Sequence, residues 1–172
     1  LIFGIHGITG LIIFFTGILQ FVLKKSGKWH RIIGRIYFYS WLLILATGVF
    51  IGSIVIVAIV LLGFYLCLTG IRSAVLKGKG YTIIDKFILS TAVLVVIFLI
   101  ISAIALIIQK QYTYAVLACF FSLLYGWVIS RDFLLIFLQK RVFKNDYGKS
   151  NWYVSHLTRM QFSFLTATGA FC

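Results

Sequence analysis

Long uncharged stretches alternate with short basic segments along this chain of 172 residues. About 20 apolar residues in a helix cross the hydrocarbon core of a bilayer, which is about 30 Å thick, and backbone groups that face lipid must pair within their own segment. The uncharged run from Ile36 to Ile71 is too long for one span, and Gly52-Ser53 near its middle predicts a turn between two. We therefore expect an all-α, polytopic transmembrane helix bundle. It forms one domain over 1–172, with six spans at about 1–23, 33–51, 54–71, 87–108, 112–130 and 152–172.

The composition excludes two other classes of protein. Hydrophobic residues make up 62% of the chain and charged residues 11%, against about 45–50% and about 25% in soluble domains. A chain of this size cannot bury that much apolar surface from water, and a disordered basic tail would be poor in apolar residues. Because the sequence begins with Leu1 inside an apolar run and stops at Cys172 soon after Arg159, we expect a fragment that is truncated at both ends.

The positive charge predicts an orientation. The formal net charge is +13, and of sixteen Lys and Arg residues all but Lys110 lie in or beside the segments that follow spans one, three and five. By the positive-inside rule these loops are cytoplasmic, so we expect a multi-pass protein of the bacterial inner (plasma) membrane that contacts anionic lipids on its cytoplasmic side. Topology accounts for the charge, and nucleic acid is not an expected partner. A subunit of a membrane complex and a homo-oligomer both stay open.

Small and polar residues mark the helix faces that turn away from lipid, because lipid-facing positions accept any large apolar residue. Such faces occur in spans one, five and six: His6, Thr9, Gly10, Thr16, Gly17 and Gln20; Ala118, Ser122, Gly126 and Ser130; His156, Ser163, Ala167 and Ala170. They predict close helix packing or room for a planar ligand. The strongest packing candidates are Gly10, Gly17, Gln20, Ser122, Gly126 and Ser163.

Three histidines are the candidate cofactor-binding residues. A neutral imidazole can ligate haem iron. His30 and His156 both lie near the predicted cytoplasmic surface and could form a facing pair of axial ligands for a b-type haem, whereas His6 lies on the other side. The alternative is that each histidine hydrogen-bonds a neighbouring helix or a lipid headgroup. The three cysteines, Cys67, Cys119 and Cys172, stand in apolar runs without paired spacing, so we predict that they are small hydrophobic residues and form neither a disulfide nor a metal site.

Arg31, Arg35 and Arg159 are candidates for binding an anion or a lipid headgroup, because a guanidinium contacts phosphate or carboxylate at two points. The alternative is that they set the topology and contact anionic lipid. Asp85 and Asp132 are expected to form local ion pairs. No catalytic set is recognisable, because the sequence has no HExxH motif, no phosphate-binding loop and no plausible Ser/His/Asp order.

Three motifs together carry a family resemblance: His6-x3-Gly10-x6-Gly17-x2-Gln20-Phe21, His30-Arg31-x2-Gly34-Arg35-x-Tyr37 and His156-x3-Met160-x2-Ser163. The chain resembles the bacterial multi-pass membrane family catalogued as domain of unknown function 2306. It departs from the family pattern at Ile18, where members usually have proline, and at Phe162, where members commonly have arginine. The resemblance implies a class of membrane protein rather than a reaction, and it singles out the same three histidines.

Three functions are consistent with these features. The first is a membrane redox protein that binds a b-type haem or a quinone through the histidines. The second is a transporter or a lipid- or anion-binding protein that uses the cytoplasmic arginines. The third is a structural accessory subunit of a membrane complex, in which the small-residue faces are packing surfaces.

Overall fold

The computed structural model describes residues 1–77, 81–137 and 151–169. These ranges contain six α-helices and no β-strand: α1 (Ile2–Val22), α2 (Lys28–Ile51), α3 (Ile54–Leu76), α4 (Ile83–Ile108), α5 (Tyr112–Ile136) and α6 (Asn151–Gly169). The all-α prediction is therefore confirmed. Ala170, Cys172 and most of the third basic segment, over 138–150, lie outside the described residues.

The helix surfaces are those of a multi-pass membrane protein. Within the described ranges, five helices, α1 to α5, have the length and hydropathy to cross a membrane. Their exposed positions carry large apolar side chains, such as Leu94 in α4, which is 67% exposed, and Leu123 in α5, which is 77% exposed. Contiguous apolar surface of this kind is unfavourable in water and stable in lipid.

The helices extend beyond the uncharged runs. Gly52 and Ser53 separate α2 from α3, at the predicted turn. However, α2 already begins at Lys28, α3 continues past Arg72, and α5 continues past Arg131. A charged residue ends the apolar stretch but not the backbone hydrogen bonding, so a helix can continue beyond the hydrocarbon core.

The chain divides into two compact units, and each is described by itself. The first unit comprises Leu1–Leu68 and Arg159–Cys172. In it α1 packs against α2, and the C-terminal part of α6 contacts α2 and α3. The Tyr37 hydroxyl lies 3.1 Å from the Ser163 hydroxyl, and a Cβ atom at Gly63 would lie 2.7 Å from both Trp41 and Thr166. Close helix approach in this unit therefore depends on small residues.

The second unit comprises Thr69–Thr158, and in it α4 packs against α5. A polar cluster joins the end of α3 to the start of α4. Arg72 binds both carboxylate oxygens of Asp85, with its Nη2 atom 2.9 Å from Oδ2, and Nη2 also donates to the Thr82 hydroxyl at 2.8 Å. Asp85 in turn accepts the backbone N–H of Thr82 at 2.7 Å, as the acidic member of a capping box does. Asp85 thus forms an ion pair, and its partner comes from the preceding helix.

A candidate ligand-binding cavity in the first unit

Two polar helix faces meet between α1 and α2. The buried residues of α1 recur at helical spacing and are Thr9, Gly10, Ile13, Thr16 and Gly17. The buried residues of α2 are Tyr37, Ser40, Trp41 and Thr47. A hydrogen-bond contact between His6 of α1 and Thr47 of α2 links the two helices: the Nδ1 atom of His6 lies 2.8 Å from the Thr47 hydroxyl oxygen.

A cavity of about 170 Å³ lies beside this hydrogen bond. It is bounded by α1, α2 and α3, with Ala167 of α6 completing the wall. Gly10, Gly48 and Gly52 line it and leave room that side chains would otherwise fill. At Gly48, for example, the nearest neighbour of an added Cβ atom would be the His6 ring, at 3.7 Å. Most of the other lining residues are aliphatic.

His6 and Trp41 are the two residues in the wall whose side chains can form hydrogen bonds. The Trp41 side chain is 1% exposed, and its indole Nε1 atom is buried with no hydrogen-bond partner among the described residues. An indole N–H can only donate, and leaving a buried donor unpaired costs about 1–3 kcal/mol. A ligand that brings an acceptor oxygen to this N–H would therefore gain stabilisation.

The other end of the α1–α2 pair brings Gln20 and His30 together. The side-chain amide of Gln20 donates to the backbone carbonyl of His30 at 3.0 Å and lies 3.7 Å from the position of a Cβ atom at Gly34. Lys25 donates from Nζ to the backbone carbonyl of Gln20. Gln20 thus fixes the start of α2 against the end of α1, and the His30 ring is half-buried there.

His156 lies in the second unit, where the first turns of α6 contact the end of α3. Its Nδ1 atom lies 2.9 Å from the backbone carbonyl of Gly70, and the neighbouring Ser155 hydroxyl lies 3.2 Å from that of Ser73. A carbonyl can only accept, so Nδ1 donates and the neutral ring retains a lone pair on Nε2. Histidines that ligate metals usually donate their other ring N–H in this way.

The remaining predicted residues occupy different environments. Arg31 and Arg35 are exposed on α2, and Arg159 is half-buried. Ser122 is buried in α5, and Gly126, one helical turn on, borders an apolar groove between α4 and α5. Three further packing candidates lie in the first unit. Gly10 lines the cavity, Gly17 lies against the Phe164 ring, and the Ser163 hydroxyl lies within hydrogen-bond distance of that of Tyr37.

The packing of His30 against His156 stays a prediction, since the two belong to different units.

Three residues at this site were not predicted from the sequence: Trp41, Thr47 and Gly48. A signal was present, because Tyr37, Trp41 and Gly48 recur at the spacing of one helix face. A histidine inside a membrane helix also needs a polar partner, and Thr47 is a suitable one on the adjacent helix. The identity of the partner and the cavity between the helices depend on how the helices meet, which periodicity within one helix does not specify.

Comparison of the chain with protein-family models, with curated proteins and with solved structures gives no match.

Proposed function

We propose that this chain is an integral membrane protein of the redox class that binds a lipid-soluble molecule with a single six-membered ring, of which a quinone is the biological example. The observation that carries the proposal is the cavity in the first unit, where His6 and Trp41 stand in an otherwise apolar wall. Ligand sites typically combine such a wall with a few polar groups that orient the ligand.

The size of the cavity favours one ring over a larger cofactor. A cavity of about 150 Å³ in an engineered protein core holds a benzene molecule, and this one measures about 170 Å³. A porphyrin has four pyrrole rings around its iron and would not fit this volume. A quinone headgroup would fit, with its isoprenoid tail passing out between the helices into lipid.

The polar groups suit a ring that carries oxygen. The Trp41 indole N–H has no partner among the residues described and can donate to a ring oxygen. His6 supplies a second hydrogen-bonding group on the same wall. A purely aliphatic lipid tail would leave the Trp41 N–H unpaired, which is unfavourable in a low-dielectric interior.

Extraction of the purified protein with organic solvent tests the proposal. We expect a quinone to co-purify in near-stoichiometric amount with the wild type and with Gly7→Leu, because nothing lies within 4 Å of a Cβ atom at Gly7. Gly48→Leu places the same side chain in the cavity and should lose the quinone while remaining folded. Equal amounts in both variants, or no ring compound in the wild type, would contradict the proposal.

A second candidate function, b-haem ligation, is favoured by one observation. The contact of His156 Nδ1 with the carbonyl of Gly70 fixes the ring and leaves Nε2 available to iron. It predicts a Soret absorption band in the purified protein that disappears in His156→Ala. A colourless, iron-free protein isolated from haem-sufficient cells would contradict it.

Three further assignments from the sequence belong to the same proposal. We infer an inner-membrane location with the loops after spans one, three and five in the cytoplasm, supported by the distribution of Lys and Arg along the sequence. Contact of Arg31 and Arg35 with anionic headgroups is supported by their exposure on α2. Membership of the family catalogued as domain of unknown function 2306 is supported by the three motifs.

A further inference from the structure

The hydrogen bonding of Thr47 fixes the proton on the His6 ring. The Thr47 hydroxyl lies 2.8 Å from the backbone carbonyl of Leu43 and 3.2 Å from that of Ile44. Carbonyl oxygens only accept, so the single hydroxyl proton of Thr47 is committed to its own helix.

The oxygen of Thr47 must then accept in its contact with His6. The donor at 2.8 Å is the Nδ1 atom of His6, which therefore carries the ring proton. In a neutral imidazole with the proton on Nδ1, the Nε2 atom is an acceptor. His6 thus offers an acceptor and Trp41 a donor, and both residues line the cavity.

This pair of groups distinguishes the two redox forms of a quinone. A quinone has two carbonyl oxygens and no hydrogen-bond donor, so it can accept a hydrogen bond from Trp41 but cannot donate one to His6. A hydroquinone has hydroxyl groups that both donate and accept, so it can satisfy both residues. A phenol offers the same combination on a single oxygen.

We propose that the cavity is a site for a six-membered ring that bears a hydroxyl group. The hydroxyl donates a hydrogen bond to Nε2 of His6, and a ring oxygen accepts a hydrogen bond from the indole N–H of Trp41. The site therefore favours the quinol over the quinone, and Thr47 is the positioning residue that sets this preference. The inference rests on the proposed function, because it names which form of the ring that site selects.

Equilibrium binding of matched ligands to the lipid-stripped protein tests the preference. The probes are a short-chain hydroquinone, the corresponding quinone and the hydroquinone dimethyl ether, measured without oxygen at neutral pH. We expect the hydroquinone to bind about tenfold more tightly than either other probe, the ratio that one ordinary hydrogen bond supplies. A simple alkylphenol distinguishes the sources of the hydroxyl: binding equal to that of the hydroquinone indicates a phenol site, and weaker binding a quinol site.

Variants separate the role of Thr47 from a general packing effect. Thr47→Val removes the hydroxyl and frees His6 to place its proton on either nitrogen, so the preference for the hydroquinone over the quinone should fall from about tenfold to about threefold or less. Thr47→Ser should restore the tenfold preference. Thr16→Val is the matched control, because the buried Thr16 hydroxyl bonds its own helix and Thr16 is not part of the cavity wall. Trp41→Phe should weaken the hydroquinone and the quinone alike, since both accept from the indole.

The outcomes distinguish this inference from the proposed function. If all the ring probes bind to the wild type with equal affinity, the selectivity is wrong and the ring site stands. If no ring probe binds, both are wrong. If the tenfold ratio is present but unchanged in a folded Thr47→Val protein, Thr47 does not set it and the inference is overturned.

Discussion

The absence of a side chain at Gly17 decides how closely α1 can approach α6 in the first unit. A Cβ atom there would collide with the Phe164 ring, which has Phe14 and Phe21 on either side with ring centroids 6.1 Å and 5.7 Å away. The ring therefore cannot move aside without disturbing its neighbours. The small-residue face of α1 predicts that Gly17 is buried, but it does not predict that an aromatic ring on α6 is what covers it.

Gly17→Ala should destabilise the protein by roughly 1–3 kcal/mol, because the added methyl group overpacks this contact. Gly7→Ala in the same helix should have no such penalty, since a Cβ atom at Gly7 meets nothing within 4 Å, and alanine favours the helix by up to about 1 kcal/mol. Unfolding in mild detergent measures both. Equal effects of the two substitutions would contradict the assignment of Gly17 as a close contact.

Ser26 lies between α1 and α2 with a φ of 64°, in the left-handed region. This conformation is unfavourable for a residue with a Cβ atom and free of that penalty for glycine. Ser26→Gly should therefore raise the free energy of unfolding by about 0.5–1 kcal/mol. The control is Ser53→Gly, which removes the hydroxyl that accepts the N–H of Ile56 at 3.4 Å and should give no increase. A rise in the free energy of unfolding for Ser53→Gly but not for Ser26→Gly would contradict the interpretation that the backbone of Ser26 is strained.

At the scale of elements, helix pairs are joined by a few polar contacts rather than by apolar packing alone. The apolar surface of a transmembrane helix gains little from leaving lipid, so hydrogen bonds and small-residue packing carry the specificity. The six helices and the turn at Gly52 could be predicted from the sequence, because length and polarity are local properties. The partners Arg72–Asp85 and His6–Thr47 could not, since they depend on which helix faces meet.

The contact between Arg72 and Asp85 should couple the end of α3 to the start of α4. The Asp85 side chain is 7% exposed and that of Arg72 is 22% exposed, so breaking the pair leaves a largely buried charge and should cost about 2–4 kcal/mol. A double-mutant cycle with Arg72→Gln and Asp85→Asn, followed by thermal unfolding in detergent, measures the coupling. A coupling energy below about 0.5 kcal/mol, the level of an exposed ion pair, would contradict a structural role.

At the scale of the whole molecule, the charge distribution predicts which side of the membrane each loop faces. In a variant that lacks its native cysteines, Gln111→Cys should react with an impermeant maleimide in spheroplasts, whose cytoplasmic membrane is sealed and open to the reagent on its outer face. Ser26→Cys should react only after permeabilisation, because it lies in the first basic segment. The reversed pattern would contradict the proposed orientation.

Trp41 is positioned to report on the binding of a ring compound in the cavity. The measurement uses two variants that each retain one of the four tryptophans: Trp41, which lines the cavity, and Trp127, which is 56% exposed on α5. Both are titrated with a short-chain quinone or quinol in detergent. We predict saturable quenching of Trp41 fluorescence that Gly48→Leu abolishes, with only weak, non-saturable quenching of Trp127. Equal quenching of the two tryptophans would show that the ligand only partitions into the detergent, and it would contradict the claim that the cavity binds it.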